Sequence, residues 1–355
     1  MSFEYDEVCW FSEGLACVEL DGKWGFIDKN GNEIVSCKYD EVRRFSEGLA
    51  SVKLNGKWGF IDRKGIEVVS YKYNEVGIVG WFSEGLACVK LNSKWGFIDK
   101  YGNEIIPFKY DKVDNFSEGL ASVKLNGEWG FIDKYGNEVI PFKYDDVGWF
   151  SEGLASVKLN GKWGFIDKYG NAVVQCIYDR VDVFFEGLAG IKHNGKCGFI
   201  DKNGNEVVPC KYDDVYNFVD GLGQVQDAGK YGLINKNGNI VIPFKYDFVT
   251  HFSEGLARVQ LDGKWGFIDK NDIKVISLKY DFACSFYEGL ACVKHENKWG
   301  FIDRNGNEVV SCKYDAAGMN TDGRFHEGLV SVKHEGKWGF IDRNDIVLKI
   351  FRWKV

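Results

Sequence analysis

Carboxylates in a fixed pattern are the first candidates for chemistry in this chain. Asp28, Asp62, Asp99 and Asp133 each close a Trp-Gly-Phe-Ile run, and Asp6, Asp40, Asp111 and Asp145 each follow a tyrosine. Two carboxylates held close together serve as acid and base in hydrolysis. An active site, however, is one constellation, and each of these acids has equivalents along the chain. An aspartate ahead of Lys-Asn-Gly has a plainer role, folding its carboxylate back onto backbone amides in an Asx turn. That role is expected here. The string Asp28-Lys29-Asn30-Gly31-Asn32-Glu33 also invites a calcium reading. An EF-hand loop needs glycine sixth and glutamate twelfth, whereas here glycine is fourth and a lysine sits inside, so a hairpin turn is expected.

The other reactive side chains fall into the same frame. His193, His295 and His334 share one slot, where Leu20, Leu54, Leu91 and Leu125 stand elsewhere. No third ligand of matching phase accompanies them, so no metal is assigned. Cys197 and His193 are four apart, but Cys197 merely occupies a slot that is otherwise aromatic. No phosphate-cradling glycine loop or Gly-x-Ser-x-Gly elbow occurs. No catalytic residue and no cofactor is expected, and the chain reads as a non-enzyme.

The elements that hold these residues are copies of one unit. Trp-Gly or its variant recurs at 24, 58, 95, 129, 163, 197, 231, 265, 299 and 338, with Cys197 and Tyr231 as the departures. The spacing is 34 except for single steps of 37 and 39. A Glu-Gly-Leu marker precedes each pair, with Asp220-Gly221-Leu222 the one variant. Such a period means one supersecondary unit that needs neighbours to bury its core. Within it, LASVKL (49–54) alternates small or apolar with polar residues, Asn55-Gly56 favours a type I′ turn, and KWGFID follows. Gly59 beside Trp58 leaves room for a neighbouring ring or backbone to approach. KNGN turns the chain again, and a longer strand returns through the Lys-Tyr-Asp segment.

The expected fold is therefore all-β, one array over 1–355 of ten ~34-residue antiparallel meander units. The chain starts with Phe-Glu-Tyr-Asp at 3–6 and ends with Phe-Arg-Trp-Lys at 351–354, both in the phase of Phe108–Asp111. That element occurs once more than the hairpin. The surplus favours an open, curved or superhelical stack whose extra strand covers an end, with a closed propeller-like ring as the alternative. GKWGFIDKNGNEVV and the accompanying EGLA resemble the bacterial WG (KWG) repeat family over essentially the whole chain. The resemblance implies a β-rich repeat scaffold and brings no catalytic residue with it.

Composition narrows the partners. Hydrophobic residues make up 45% of the 355, enough for a long core, and the net charge of −7 excludes the basic stripes that nucleic acid demands. No apolar run approaches the ~18 residues of a membrane span, and the first residues lack a signal-peptide pattern. The ten cysteines replace Ser or Phe irregularly, so reduced thiols and a cytoplasmic location are expected.

In repeat proteins the constant positions build the frame and the changing ones meet the ligand. The two residues before the aromatic of the Glu-Gly-Leu segment are the ones that change. They include Trp10, Arg43, Arg44, Trp81, Asp114, Asn115, Trp149, Tyr216, His251 and Arg324, and both length changes fall beside them, at 77–80 and 318–323. Trp, Tyr and Arg are common interface anchors. The face they form is expected to bind a protein or peptide. A carbohydrate binder stacking sugars on Trp is the alternative, and a hydrolase the remote one.

Overall fold

The computed structural model describes residues 5–77, 82–318 and 323–348. The first repeat shows the construction. β1 (Glu7–Val8), β2 (Leu15–Leu20), β3 (Lys23–Asp28) and β4 (Glu33–Tyr39) pair in order as an antiparallel sheet. Asp21 and Gly22 turn the chain from β2 to β3 with φ of 51° and 74°, the doubly positive pair of a type I′ turn. Glu13 and Gly14 do the same ahead of β2, with φ of 52° and 80°. A glutamate is a costly choice there. Its length explains the choice: the Glu13 carboxylate accepts the amide of Gly48, one repeat on, at 3.2 Å.

The Trp-Gly pair marks a crossing of β3 over a bulged β4. Trp24 faces Tyr39 while Phe26 faces Val35, so β4 carries extra residues between them. A Cβ on Gly25 would lie 2.4 Å from the Val35 carbonyl oxygen and 2.7 Å from the Cys37 amide. The expected close approach is therefore made by backbone, and only glycine admits it.

Two expectations change in detail. The long third strand breaks at Asp40, and β5 (Glu41–Val42) begins the next sheet. Each unit thus yields a four-stranded sheet with a borrowed first strand. Asp40 fixes the break, its carboxylate taking Lys23 Nζ at 2.6 Å and the Gly56 amide at 3.0 Å. Alternation also fails in β3, where Gly25, Phe26 and Ile27 are all buried. Neighbouring sheets cover both faces. Phe26 meets Phe45 of the next repeat edge-to-face at 4.9 Å, and Val35 lies under Gly65. Each such apolar side chain contributes about 1.5–3 kcal/mol on full burial, which a lone unit would forgo.

Among the described residues nine sheets have four strands and the tenth has three. Contacts divide the chain into two compact units. One holds Met1–Phe82, Lys100–Gly102 and Phe252–Val355, the other Ser83–Asp99 and Asn103–His251. Within the first unit the tenth sheet gains its missing pairing from the opposite end of the chain. Tyr5 bridges Trp338 in antiparallel fashion, in the position that Tyr39 takes against Trp24. Val347 starts the same outer strand by bridging Ile341. First and last repeats are thus joined, which is the closed, propeller-like alternative, and the open stack is set aside. The early copy of the Tyr-Asp element is not a surplus cap; it completes the last sheet, since an unpaired edge there would leave its backbone groups without partners. Residues 351–354 lie outside the described part.

The cysteines need a correction too. Cys9 and Cys17 form a disulfide with Cα atoms 5.1 Å apart, while the other eight are thiols. Spacing along the chain hid it, because the pair faces across two strands: the Cys9 amide donates to the Cys17 carbonyl at 2.8 Å. Cys284 and Cys292 occupy the same two slots, with the same 2.8 Å backbone bond, and are thiols.

Candidate functional site

The recurring acids are occupied in holding turns. Asp28 Oδ1 accepts the amides of Asn30 and Asn32 at 2.9 and 2.8 Å, and its Oδ2 accepts Asn32 Nδ2. Asp133, Asp167, Asp201 and Asp303 repeat the arrangement. The acids that follow tyrosine pair with the lysine of Lys-Trp-Gly, as in Lys94–Asp111 at 2.6 Å, except Asp145, whose repeat has Glu128 there and which takes the Gly161 amide at 3.0 Å. His193, His295 and His334 stand edge-on to Tyr178, Tyr280 and Tyr314 at 5.7–5.9 Å. Among the described residues no group of three or more His, Cys, Asp or Glu is placed to hold a metal.

Among the described residues the variable slots follow the short first strand of most sheets, while Trp149 and Tyr216 lie within longer first strands, Asp146–Ser151 and Asp214–Val219. In the first unit they stack. The Arg44 guanidinium sits 3.6 Å over the Trp10 ring, and Trp10 stacks on His326 at 5.5 Å. His326 in turn neighbours Tyr287, which carries Arg324 at 5.5 Å. Burial, followed by the charges of Arg324 and Arg44, holds the His326 imidazole below its ordinary pKa. Arg43 leans over Trp58 at 5.7 Å. Trp81 lies outside the described residues, as do 78–80 and 319–322.

In the second unit the slots separate into two groups. Asp114 accepts the Ser122 hydroxyl at 2.8 Å, and Asn115 accepts the Cys88 thiol at 3.1 Å. The slots of the next four repeats instead open a cleft of about 720 Å³. Trp149, Asp182, Tyr216 and His251 come from four successive repeats to line it. Trp149 is 57% and Tyr216 37% exposed. Burial depresses the His251 pKa, keeping the ring neutral near pH 7, and its Nε2 has no partner.

Three charges share this cleft; Asp182 stands in a variable slot, while Arg180 and Asp214 were not singled out from the sequence. Arg180 Nη2 pairs with Asp214 Oδ1 at 2.6 Å, and Asp214 also takes the Val215 amide at 3.0 Å. Asp182 is left over. Arg180 Nε is 3.9 Å from it, beyond hydrogen-bond range, and is itself a buried donor without an acceptor. Burial, reinforced by the charge of Asp214 and opposed by Arg180, raises the Asp182 pKa. Asp214 is thus paired with Arg180, while the Asp182 carboxylate has, among the described residues, no donor within hydrogen-bond range. A signal for it existed in the repeats: Arg180 stands where Glu41, Glu75 and Asp146 stand elsewhere.

An all-β chain of joined four-stranded repeats, with a constant frame and one changing face, defines a repeat scaffold. The family model of the WG containing repeat matches ten consecutive stretches, 2–24, 24–58, 58–95, 95–129, 129–163, 163–197, 198–231, 231–265, 265–299 and 299–338. The chain belongs to that family. Among curated proteins none matches it. Of solved structures, the crystal structure of a eukaryotic initiation factor is similar at 11% identity and a TM-score of 0.53, over 81% of this chain and 92% of that one. The dihydro-heme d1 dehydrogenase NirN is more distant, at 13% identity and 0.38, over 76% of this chain and 74% of its own. Citrobacter koseri AztD stands at 12% and 0.35, over 87% and 92%. At these identities the first likeness speaks for the fold alone.

Proposed function

We propose that this chain is a non-enzymatic scaffold that binds a protein or peptide through the face formed by its variable slots. The carrying observation is the convergence of Trp149, Asp182, Tyr216 and His251, from four successive repeats, on one cleft. A largely apolar concavity with a few convergent polar groups is the usual form of a ligand site, and exposed Trp and Tyr are frequent anchors. The net charge of −7 favours a peptide over nucleic acid. The test is selection of peptides from a displayed library on the full chain. Selected peptides should bind at least tenfold more weakly when Trp149 and Tyr216 are both replaced by Ala, with the melting temperature held. Equal binding by that variant would remove the cleft from the reading. A glycan array that gives binders while the peptide library gives none would favour sugar stacking on Trp149 instead.

A further inference from the structure

Resting on that reading, we infer that the cleft of the second unit recognises a cationic side chain, the ammonium of lysine or the guanidinium of arginine, between Trp149, Tyr216 and the carboxylate of Asp182. The comparison between repeats carries it. Asp114 holds the slot of Asp182 in an earlier repeat, and there the Ser122 hydroxyl satisfies the carboxylate at 2.8 Å. Opposite Asp182 the serine position is Gly190, and a Cβ built on it would come within 2.6 Å of Asp182 Oδ2. The donor has been removed, and the Asp182 carboxylate itself reaches into the space a side chain at 190 would take.

Charge counting gives the sign of the occupant. Arg180 and Asp214 form a close pair and cancel, and burial keeps His251 neutral near pH 7. One negative charge remains, on Asp182, whose side chain is 31% exposed. A half-buried carboxylate without a close donor is costly, and a monocation entering the cleft satisfies it. The rings match the same chemistry. Trp149 and Tyr216 present aromatic surface in the same cleft, and the negative face of an aromatic ring attracts ammonium and guanidinium groups. An anionic or purely apolar side chain gains nothing from Asp182.

The experiment follows the Trp149 indole resonance of the full-length protein, assigned with Trp149→Phe, during titration with acetyl-Ala-X-Ala-amide peptides. X is lysine, arginine, norleucine or glutamate, and the range extends to tens of millimolar. Lysine or arginine should bind about tenfold or more tightly than norleucine, and glutamate worst. Asp182→Asn, which keeps the shape and removes the charge, should bring lysine down to norleucine. Gly190→Ser, which returns the missing hydroxyl, should weaken the cationic peptides while the melting temperature confirms folding. Norleucine binding as tightly as lysine, or an undiminished lysine preference in Asp182→Asn, overturns the cation assignment while peptide binding at the cleft stands. Absence of a shift with all four peptides overturns the cation assignment as well; the reading of the cleft as a peptide site then rests on the displayed library alone.

Discussion

Tyr5 and Trp338, from opposite ends of the chain, are antiparallel β partners, and the Trp338 amide donates to the Tyr5 carbonyl at 3.1 Å. Lys337 adds an ion pair to Asp6. This contact makes the stability of the last repeat depend on the first few residues. Tyr5 is 4% exposed, and truncating a buried aromatic to alanine costs about 3 kcal/mol or more. Tyr5→Ala should therefore accelerate hydrogen exchange in Lys337–Ile341, while exchange in Lys162–Asp167 stays unchanged. Equal exchange in both strands would mean that the ends are not coupled.

Replacing the glycine of a Trp-Gly pair should be worse than trimming its tryptophan. In Gly164 an added Cβ would lie 2.4 Å from the Val174 carbonyl oxygen and 2.7 Å from the Cys176 amide. Both are backbone atoms of the strand Ala172–Tyr178, held in place by its pairing in the sheet, so neither yields cheaply. Gly164→Ala should lower stability by about 2 kcal/mol or more, with Trp163→Phe losing less, as read by urea unfolding.

The turn aspartates predict acid sensitivity. Hydrogen bonds from Asn171, Asn205 and Asn307 hold the carboxyls of Asp167, Asp201 and Asp303 below the ordinary value of 3.8. A folded-state pKa below the unfolded one contributes stability that is full above about pH 4 and is lost as pH falls through the folded value. Melting temperature should be level from pH 5 to 7 and fall below pH 4. Asn235 already serves this turn in another repeat, accepting the Asn237 and Asn239 amides at 3.0 Å. Converting Asp167, Asp201 and Asp303 to Asn should thus blunt the acid slope without unfolding the chain, and an unaltered slope would place its origin elsewhere.

Cysteine labelling separates two equivalent sites. Alkylation of the denatured, unreduced protein should modify eight cysteines, and prior reduction all ten. Peptide mapping should find Cys9 joined to Cys17 and both Cys284 and Cys292 alkylated. Ten modifications without reductant would show Cys9 and Cys17 to be thiols in solution.

The repeat itself was legible without coordinates. Asn55-Gly56 announces its turn because both residues must take positive φ, which they do at 52° and 76°. The Asx role of Asp28 and the crowding at Gly59 were equally local, and local geometry is what side-chain type controls. The slots that change also come together in space, since Trp10, Arg44 and Arg324 belong to one stack and Trp149, Tyr216 and His251 to one cleft.

What the sequence by itself determined, then, is the unit: its turns, its pairing strands, and which positions build and which vary. Only the tertiary structure decided how the ends meet and where charges converge. Tyr5 could not be matched to Trp338 from sequence, because an identical tyrosine element stands at every repeat and nothing local distinguishes a cap from a closure. Arg180 and Asp214 likewise sit in ordinary surface slots; it is the stacking of successive sheets that brings Arg180 onto Asp214 and leaves Asp182, in its variable slot, without a close partner beside two aromatic rings. Contacts across repeats depend on sheet packing, and packing is a property of the assembled chain.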